Sequence, residues 1–226
     1  MSRTLYPSSG AKRLASATFA DPPAEYRGAP FWSWNGRLDR ARLFEQLAVF
    51  KEMGLGGGHA HVRVGLADEY LGGDFFGHIK ACLAEAKRLG LRLFLYDEDR
   101  WPSGSAGGIV TRDERHRMRE LVLAPGAAAP AKPGVLPLAR YAVRLAADGT
   151  LASWKRLADG AKVPAKHEAW VAYRRIQDAN SWYNGQTYVD TLSVPAIEAF
   201  IATTHERYRQ EVGHEFGKAI PSIFTD

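Results

Sequence analysis

The sequence predicts an α/β fold, a partial (β/α)8 barrel of TIM type about four β/α units long, with a small β insertion after the third strand. Three observations predict it. Short aromatic or apolar runs alternate with stretches of helical period from Phe31 to Leu89. The run Leu91–Tyr96 has the length and bulk of a strand buried on both faces, and it ends in Asp97, Glu98 and Asp99. After an Ala/Pro/Gly-rich interruption the same alternation returns with the stretch that begins at Pro195. Buried parallel strands in such folds present their chemistry at the C-terminal ends, so the acids stand where a site would be built.

The elements follow in order. Met1 to Gly28 is rich in Pro, Ser and Ala with weak periodicity and reads as an irregular arm. Phe31–Asn35 (FWSWN) is a short aromatic strand. A helix from Leu38 to Met53 follows, with Leu43, Leu47 and Phe50 at helical spacing and Gly54 at its end. Gly56–Val64 (GGGHAHVRV) is a glycine-started strand, and Phe75–Leu89 is a helix closed by Gly90. The organising strand comes third, giving β-α-β-α-β with short connections, the signature of a parallel sheet with right-handed crossovers. From Glu120 to Tyr188 the pattern turns β-like, with runs at Arg140–Ala146 and Ala169–Ile176 between turns such as PGAAAPAKPG and AADGT. A helix from Pro195 to Phe216 and a last strand, Ile220–Thr225, complete the chain. The expected domains are therefore 1–28 as the arm, 29–119 as three β/α units, 120–188 as the insertion, and 189–226 as a helix and fourth strand. Such a sheet would leave a strand edge unpaired, so the expectation is an N-terminal fragment of a barrel. A small open α/β sheet covered by the arm and the insertion is the alternative.

Composition narrows the function classes. The chain has 226 residues, 46% hydrophobic and 24% charged, as in an ordinary globular protein. Its net charge of +5 is spread along the sequence without a dense basic run, which argues against nucleic-acid binding. No run calls for a membrane reading. The single cysteine, Cys82, falls in an apolar helical pattern and reads as a buried thiol. The N-terminus lacks an apolar h-region, so the chain as written is expected in the cytoplasm.

Three constellations could carry chemistry. In the third strand, alternation puts Phe94, Tyr96 and Glu98 on one face and Leu95, Asp97 and Asp99 on the other. A lone Glu98 among Tyr96 and Trp101 would be desolvated and suited to a general acid. Asp97 and Asp99 are then free to bind hydroxyls, hold Arg100 or ligate a hard cation, and a structural ion pair reads equally well. Trp32 and Trp34 alternate in the first strand with Asn35 at its exit. Indole faces pack on the C–H faces of sugars and an amide bonds vicinal hydroxyls, so Trp34 and Asn35 suit carbohydrate, while Trp32 reads as core. His59 and His61 share a strand face with Arg63 beyond them, a metal-ligand spacing that would suit a metal-dependent hydrolase. The other histidines, His78, His116, His167, His205 and His214, fall in helices, insertion or loops and offer no third ligand at a strand exit. A non-catalytic carbohydrate-binding protein is the third class. Asp226, after the last strand, would serve either hydrolytic scheme.

Taken together, PPAEYRGAPFWSWNGRL, HAHVRVGLADEYL, LYDEDRWPSGSAGG, YVDTLSVPAIEAF and VGHEFGKAIPSIFTD resemble the N-terminal half of the catalytic barrel of the bacterial α-L-rhamnosidases of glycoside hydrolase family 106. The resemblance runs from Asp21 to Asp226, with the β insertion loosely matched. It implies an exo-hydrolase that removes terminal α-L-rhamnose from plant or pectic glycans with inversion, with calcium near the sugar and usually outside the cytoplasm or cell. It places Glu98 as general acid and implies a sugar site lined by Trp34, Asn35, His61, Arg63, Asp97, Asp99, Arg100 and Trp101; the metal ligands are left unknown. The second carboxylate of the family is the glutamate directly after FTD, beyond Asp226, so the chain is expected to need a further C-terminal part of the barrel and to be inactive alone.

Overall fold

A computed structural model describes residues 15–183 and 185–226. In chain order the elements are α1 (Ser16–Ala20), β1 (Phe31–Trp34), α2 (Arg40–Glu52), β2 (Gly57–Val62), α3 (Gly73–Leu89), β3 (Arg92–Tyr96) and β4 (Arg119–Pro125). They continue with β5 (Leu136–Leu145), β6 (Leu151–Leu157), β7 (Glu168–Ile176), α4 (Val194–Thr203), α5 (His205–Val212) and β8 (Ile223–Phe224). The fold is mixed α/β, with one parallel and one antiparallel sheet. It divides into two compact units: one runs to Ser103 and resumes at Thr204–Asp226, the other is Gly104–Thr203. No helix among the described residues is long and apolar enough to cross a membrane.

The first unit holds the parallel sheet, ordered β1-β2-β3-β8. Its register sets Phe31 beside His59, His59 beside Phe94, and Leu95 beside Ile223. The helices follow from local chemistry. Asp39 caps α2 by accepting the Arg42 N–H at 2.9 Å, and Gly90 ends α3 in the left-handed conformation, φ 74°, that glycine adopts without strain. Phe75, Ile79, Cys82, Leu83 and Ala86 recur at three- and four-residue steps, so one stripe of α3 is buried, joined by Phe76. It packs with Leu43 and Leu47 of α2 against Trp32, Trp34, Ala60, Val62, Leu93 and Leu95. Each such large side chain removed from water contributes roughly 1.5–3 kcal/mol. The glycines that start β2 are required by closeness: a Cβ at Gly57 (φ 155°) would lie 1.9 Å from the Arg92 carbonyl oxygen.

The second unit is built on the antiparallel sheet, ordered β4-β7-β5-β6. Asp148 and Gly149 make the β5–β6 turn expected of AADGT: the Thr150 N–H and hydroxyl both donate to Asp148 Oδ1, and Gly149 takes φ 82°. The sequence pattern does not mark β4 and β6 as strands. Their exposed residues include Leu121, Leu123 and Leu151, so neither shows clean apolar-in, polar-out alternation.

Two other expectations are corrected. The single helix expected over 195–216 is two, α4 and α5, broken at Thr204 (φ −107°, ψ −70°). Thr203 Oγ1 donates back to the Ala199 carbonyl at 2.7 Å and Thr204 Oγ1 meets His205 Nδ1 at 3.0 Å, local bonds that compete with a continuous helix. The strand expected over 220–225 is the two-residue β8, because Ile220 closes the preceding turn instead, bonding Gly217 and Glu215. The N-terminal arm contains α1 and a 3-10 turn, Ala24–Tyr26, and its first fourteen residues lie outside the described part.

Candidate functional site

The two faces of the parallel sheet differ in kind. One is the helix-packed core. The other carries Phe31, His59, His61, Phe94, Tyr96 and Phe224, whose rings touch in sequence across the strands: His59 stacks on Phe94 at 4.7 Å, and His61 on Tyr96 at 4.0 Å and 7°. Phe31 meets His61 at 4.5 Å and Phe224 at 5.0 Å. Just beyond the C-terminal ends of β2, β3 and β8 lie the charged groups.

Asp97 is fully buried and saturated with donors. Ser103 Oγ and Thr225 Oγ1 each donate to it at 2.6 Å, and His205 Nε2 lies 3.2 Å from Oδ2. Ser103 in turn accepts the Asp226 backbone N–H at 3.1 Å, so the chain after β8 is tied to the exit of β3. The Tyr208 hydroxyl donates to the Tyr96 carbonyl at 3.0 Å, fixing the same corner from α5. Burial, then the Asp97 charge, pushes the Tyr208 phenol above its ordinary range, so it stays a donor. Glu98 is 1% exposed, and its Oε1 accepts the Asp99 N–H at 2.9 Å. Asp99 accepts from Arg100 Nε at 2.7 Å.

His61 is the most informative side chain of the group. Its Nε2 accepts the Trp101 indole N–H at 3.2 Å, which leaves the ring proton of the neutral form on Nδ1. That Nδ1 is buried with no hydrogen-bond partner among the described residues. Burial first, then the charges of Arg63 and His59, lower the His61 pKa from 6.5 to about 4, so the ring is neutral at ordinary pH. The Arg63 guanidinium lies 4.8 Å from the centre of the Trp101 ring, a cation–π contact that holds the indole where it reaches His61.

The structure thus brings His61, Arg63, Asp97, Glu98, Asp99, Arg100 and Trp101 to one end of the sheet, with Asn35 exposed at the exit of β1. Asp226 is exposed, and its backbone N–H, bonded to Ser103, is the part that is anchored. Trp34 does not join them. It is 1% exposed on the helix-packed face, edge-on to Trp32 at 5.5 Å and Phe75 at 5.8 Å, so its assignment to the sugar site is corrected to the core. Alternation decides this: Trp34 shares a strand face with Trp32, not with the histidine-bearing face.

Among the described residues no group of three or more His, Cys, Asp or Glu is placed to hold a metal ion. Asp97 is occupied by two hydroxyls and His205, and Asp99 by Arg100, so the acids do not form an open oxygen cage for calcium. His59 Nδ1 faces the Ala29 carbonyl at 3.1 Å, with its ring stacked on Phe94, and burial lowers its pKa.

No family model matches the chain, and no curated protein matches it in sequence. Among solved structures, it is similar to the rhamnosidase from Novosphingobium sp. PP1Y, at 17% identity and a TM-score of 0.40, over 61% of this chain. The chain spans 17% of that protein's length. Likeness of that degree fixes neither family nor function.

Several residues of this corner are not singled out by the sequence pattern. Ser103 reads as an ordinary loop residue, Thr225 as the end of the last strand and His205 as a helical residue. Tyr70, on the connection after β2, has a buried hydroxyl without a partner among the described residues. Burial raises its pKa well above the ordinary value, with Tyr208, Glu98, Asp97 and Asp99 adding to the shift. The hydroxyl pattern around DEDR is the one usable signal: a carboxylate headed for burial must find donors, and Ser103 is six residues away.

Proposed function

We propose that this chain forms the acid-bearing side of a glycoside hydrolase site for terminal α-L-rhamnosides, with Glu98 as the general acid. The observation that supports this reading is the 1% exposure of Glu98 just past the C-terminal end of a parallel strand, at the end of the sheet that also carries the Arg63–Trp101 pair and His61. A buried carboxyl at a strand exit is the kind of group from which enzymes build a general acid. The sequence motifs around it supply the sugar class. In this reading the four parallel strands are one side of a (β/α)8 barrel whose inward face is the aromatic one, and further β/α units would cover Phe31, now 48% exposed.

An inverting glycosidase also needs a carboxylate base roughly 6.5–9.5 Å from its acid. Asp97 is engaged through both oxygens and Asp99 is paired with Arg100, so we propose that the base lies outside these two. Sugar binding at the acid-bearing side is therefore tested apart from turnover. The test is saturation-transfer NMR with L-rhamnose and D-glucose. The expected outcome is saturable L-rhamnose binding on the order of millimolar, reduced by Arg63→Ala, with D-glucose weaker. Equal transfer to both sugars, or none to either, removes the proposal. In a form of the protein that turns over, Glu98→Gln should abolish cleavage of alkyl rhamnosides and largely spare aryl ones that leave unprotonated; equal loss on both ends the acid assignment.

A further inference from the structure

The antiparallel sheet of the second unit carries an open apolar groove of about 530 Å³, within the size range of small-molecule sites. Single exposed apolar residues are ordinary on protein surfaces, but here Leu121 (75% exposed), Leu123 (56%), Leu151 (59%) and Trp154 (63%) line one groove. The groove is not uniformly apolar. Residues directly opposite in antiparallel strands share a face, and the register sets Trp170 of β7, Tyr141 of β5 and Arg156 of β6 in one row. Trp170 lines the groove with its indole N–H buried and without a hydrogen-bond partner among the described residues. Arg156 is exposed and makes no ion pair or side-chain hydrogen bond among them.

Charge on this face favours an anion. Leu121 stands opposite Arg174, a second exposed arginine on the groove side. The acid on the same face, Glu168, lies on β7 opposite Val143, two strands from Arg156. We propose that the groove binds a single-chain anionic amphiphile, an alkyl carboxylate, with its tail along the leucines and Trp154 and its carboxylate at Arg156 in the Trp170 row. A sugar is disfavoured because the leucines offer it no hydrogen-bond partner. A neutral hydrocarbon would leave the exposed Arg156 without a counter-charge.

The test titrates the full chain with dodecanoate below its micellar concentration, followed by calorimetry and tryptophan fluorescence, with dodecyltrimethylammonium as the same tail carrying opposite charge. The expected result is saturable one-to-one binding of dodecanoate, about tenfold tighter than the cationic amphiphile. Arg156→Glu should weaken dodecanoate about tenfold, and Trp154→Ala should weaken both amphiphiles; both side chains are exposed, and a thermal melt confirms that the variants fold. Equal binding of the two amphiphiles overturns the proposal, as does unaltered dodecanoate binding by Arg156→Glu. So does a chain that sediments as a dimer, becomes monomeric on Trp154→Ala, and is not dissociated by dodecanoate, since a second copy would then be the occupant.

Discussion

The helix-packed face of the parallel sheet and its aromatic face are made from the same strands, residue by alternate residue, yet they follow different rules. On the packed face, Trp32, Trp34, Ala60, Val62, Leu93 and Leu95 are buried against α2 and α3. On the other, Phe31, His59, His61, Phe94, Tyr96 and Phe224 stack ring on ring and lead to a cluster of charges at the strand ends. What differs is hydrogen-bonding capacity. The packed face carries two indole N–H groups as its only polar side-chain atoms among these residues, one of them bonded to Gln46. The aromatic face brings imidazoles and a phenol, whose edges must be matched by neighbours or ligand. That face is too polar to be core and too aromatic to be plain surface, which makes its strand ends the candidate site.

Trp34 gives the largest break of that comparison. As a core residue, Trp34→Ala leaves a cavity between α3 and the sheet and should cost about 3–5 kcal/mol in urea unfolding, while Trp34→Phe costs less and should leave the proposed rhamnose binding unchanged. A Trp34→Ala protein as stable as the parent but unable to bind sugar would return Trp34 to the site and reverse the assignment of the two faces.

That residue also shows what the sequence can and cannot reveal. Alternation, helix spacing and glycine stops locate β1 to β3 with α2 and α3, because those signals are local and agree with the packing they lead to. Alternation likewise separates Trp32 and Trp34 from their neighbours, but it cannot say which face meets the helices; that is decided by α3, some forty residues on in the chain. The acids are legible because three in a row at a strand exit is an unusual pattern. Their partners are not: Thr225 and Asp97 are 128 positions apart, and His205 reaches Asp97 only because the chain returns to the first unit after the antiparallel sheet. The break at Thr204 is hidden by an apolar period that continues through it, since side-chain bonds to the backbone leave no mark on hydrophobic patterning.

A change of pH probes the aromatic face at smaller cost. His61 has its pKa lowered from 6.5 to about 4, so the proton prefers the unfolded chain. The stability that this burial confers is fully present above about pH 6.5 and is lost as pH falls towards 4, because the unfolded state binds more protons across that window. The expected loss between pH 7 and 4 is on the order of 2–3 kcal/mol by urea titration, with His59 adding in the same direction. His61→Phe keeps the stack on Tyr96 and should flatten most of that slope. A slope unchanged in His61→Phe would mean that His61 is more open to water than its place between Phe31 and Tyr96 implies.

Trp101→Phe is the mildest change and the most precise. It removes the indole N–H that His61 Nε2 accepts and keeps a ring for Arg63 to cover, so the stability change should stay within about 1 kcal/mol. The effect belongs in the imidazole. With the donor present, the neutral ring is held with its proton on Nδ1, and ¹⁵N chemical shifts should report that tautomer as dominant. Without it, Nε2 loses its partner, both tautomers become populated, and the His61 pKa rises because the neutral form has lost a hydrogen bond that favoured it. Identical ¹⁵N shifts in parent and variant would show that the tautomer is set elsewhere. The orphan Nδ1–H would then no longer follow from the Trp101 contact, and His61 would have to be read as part of the aromatic stack alone.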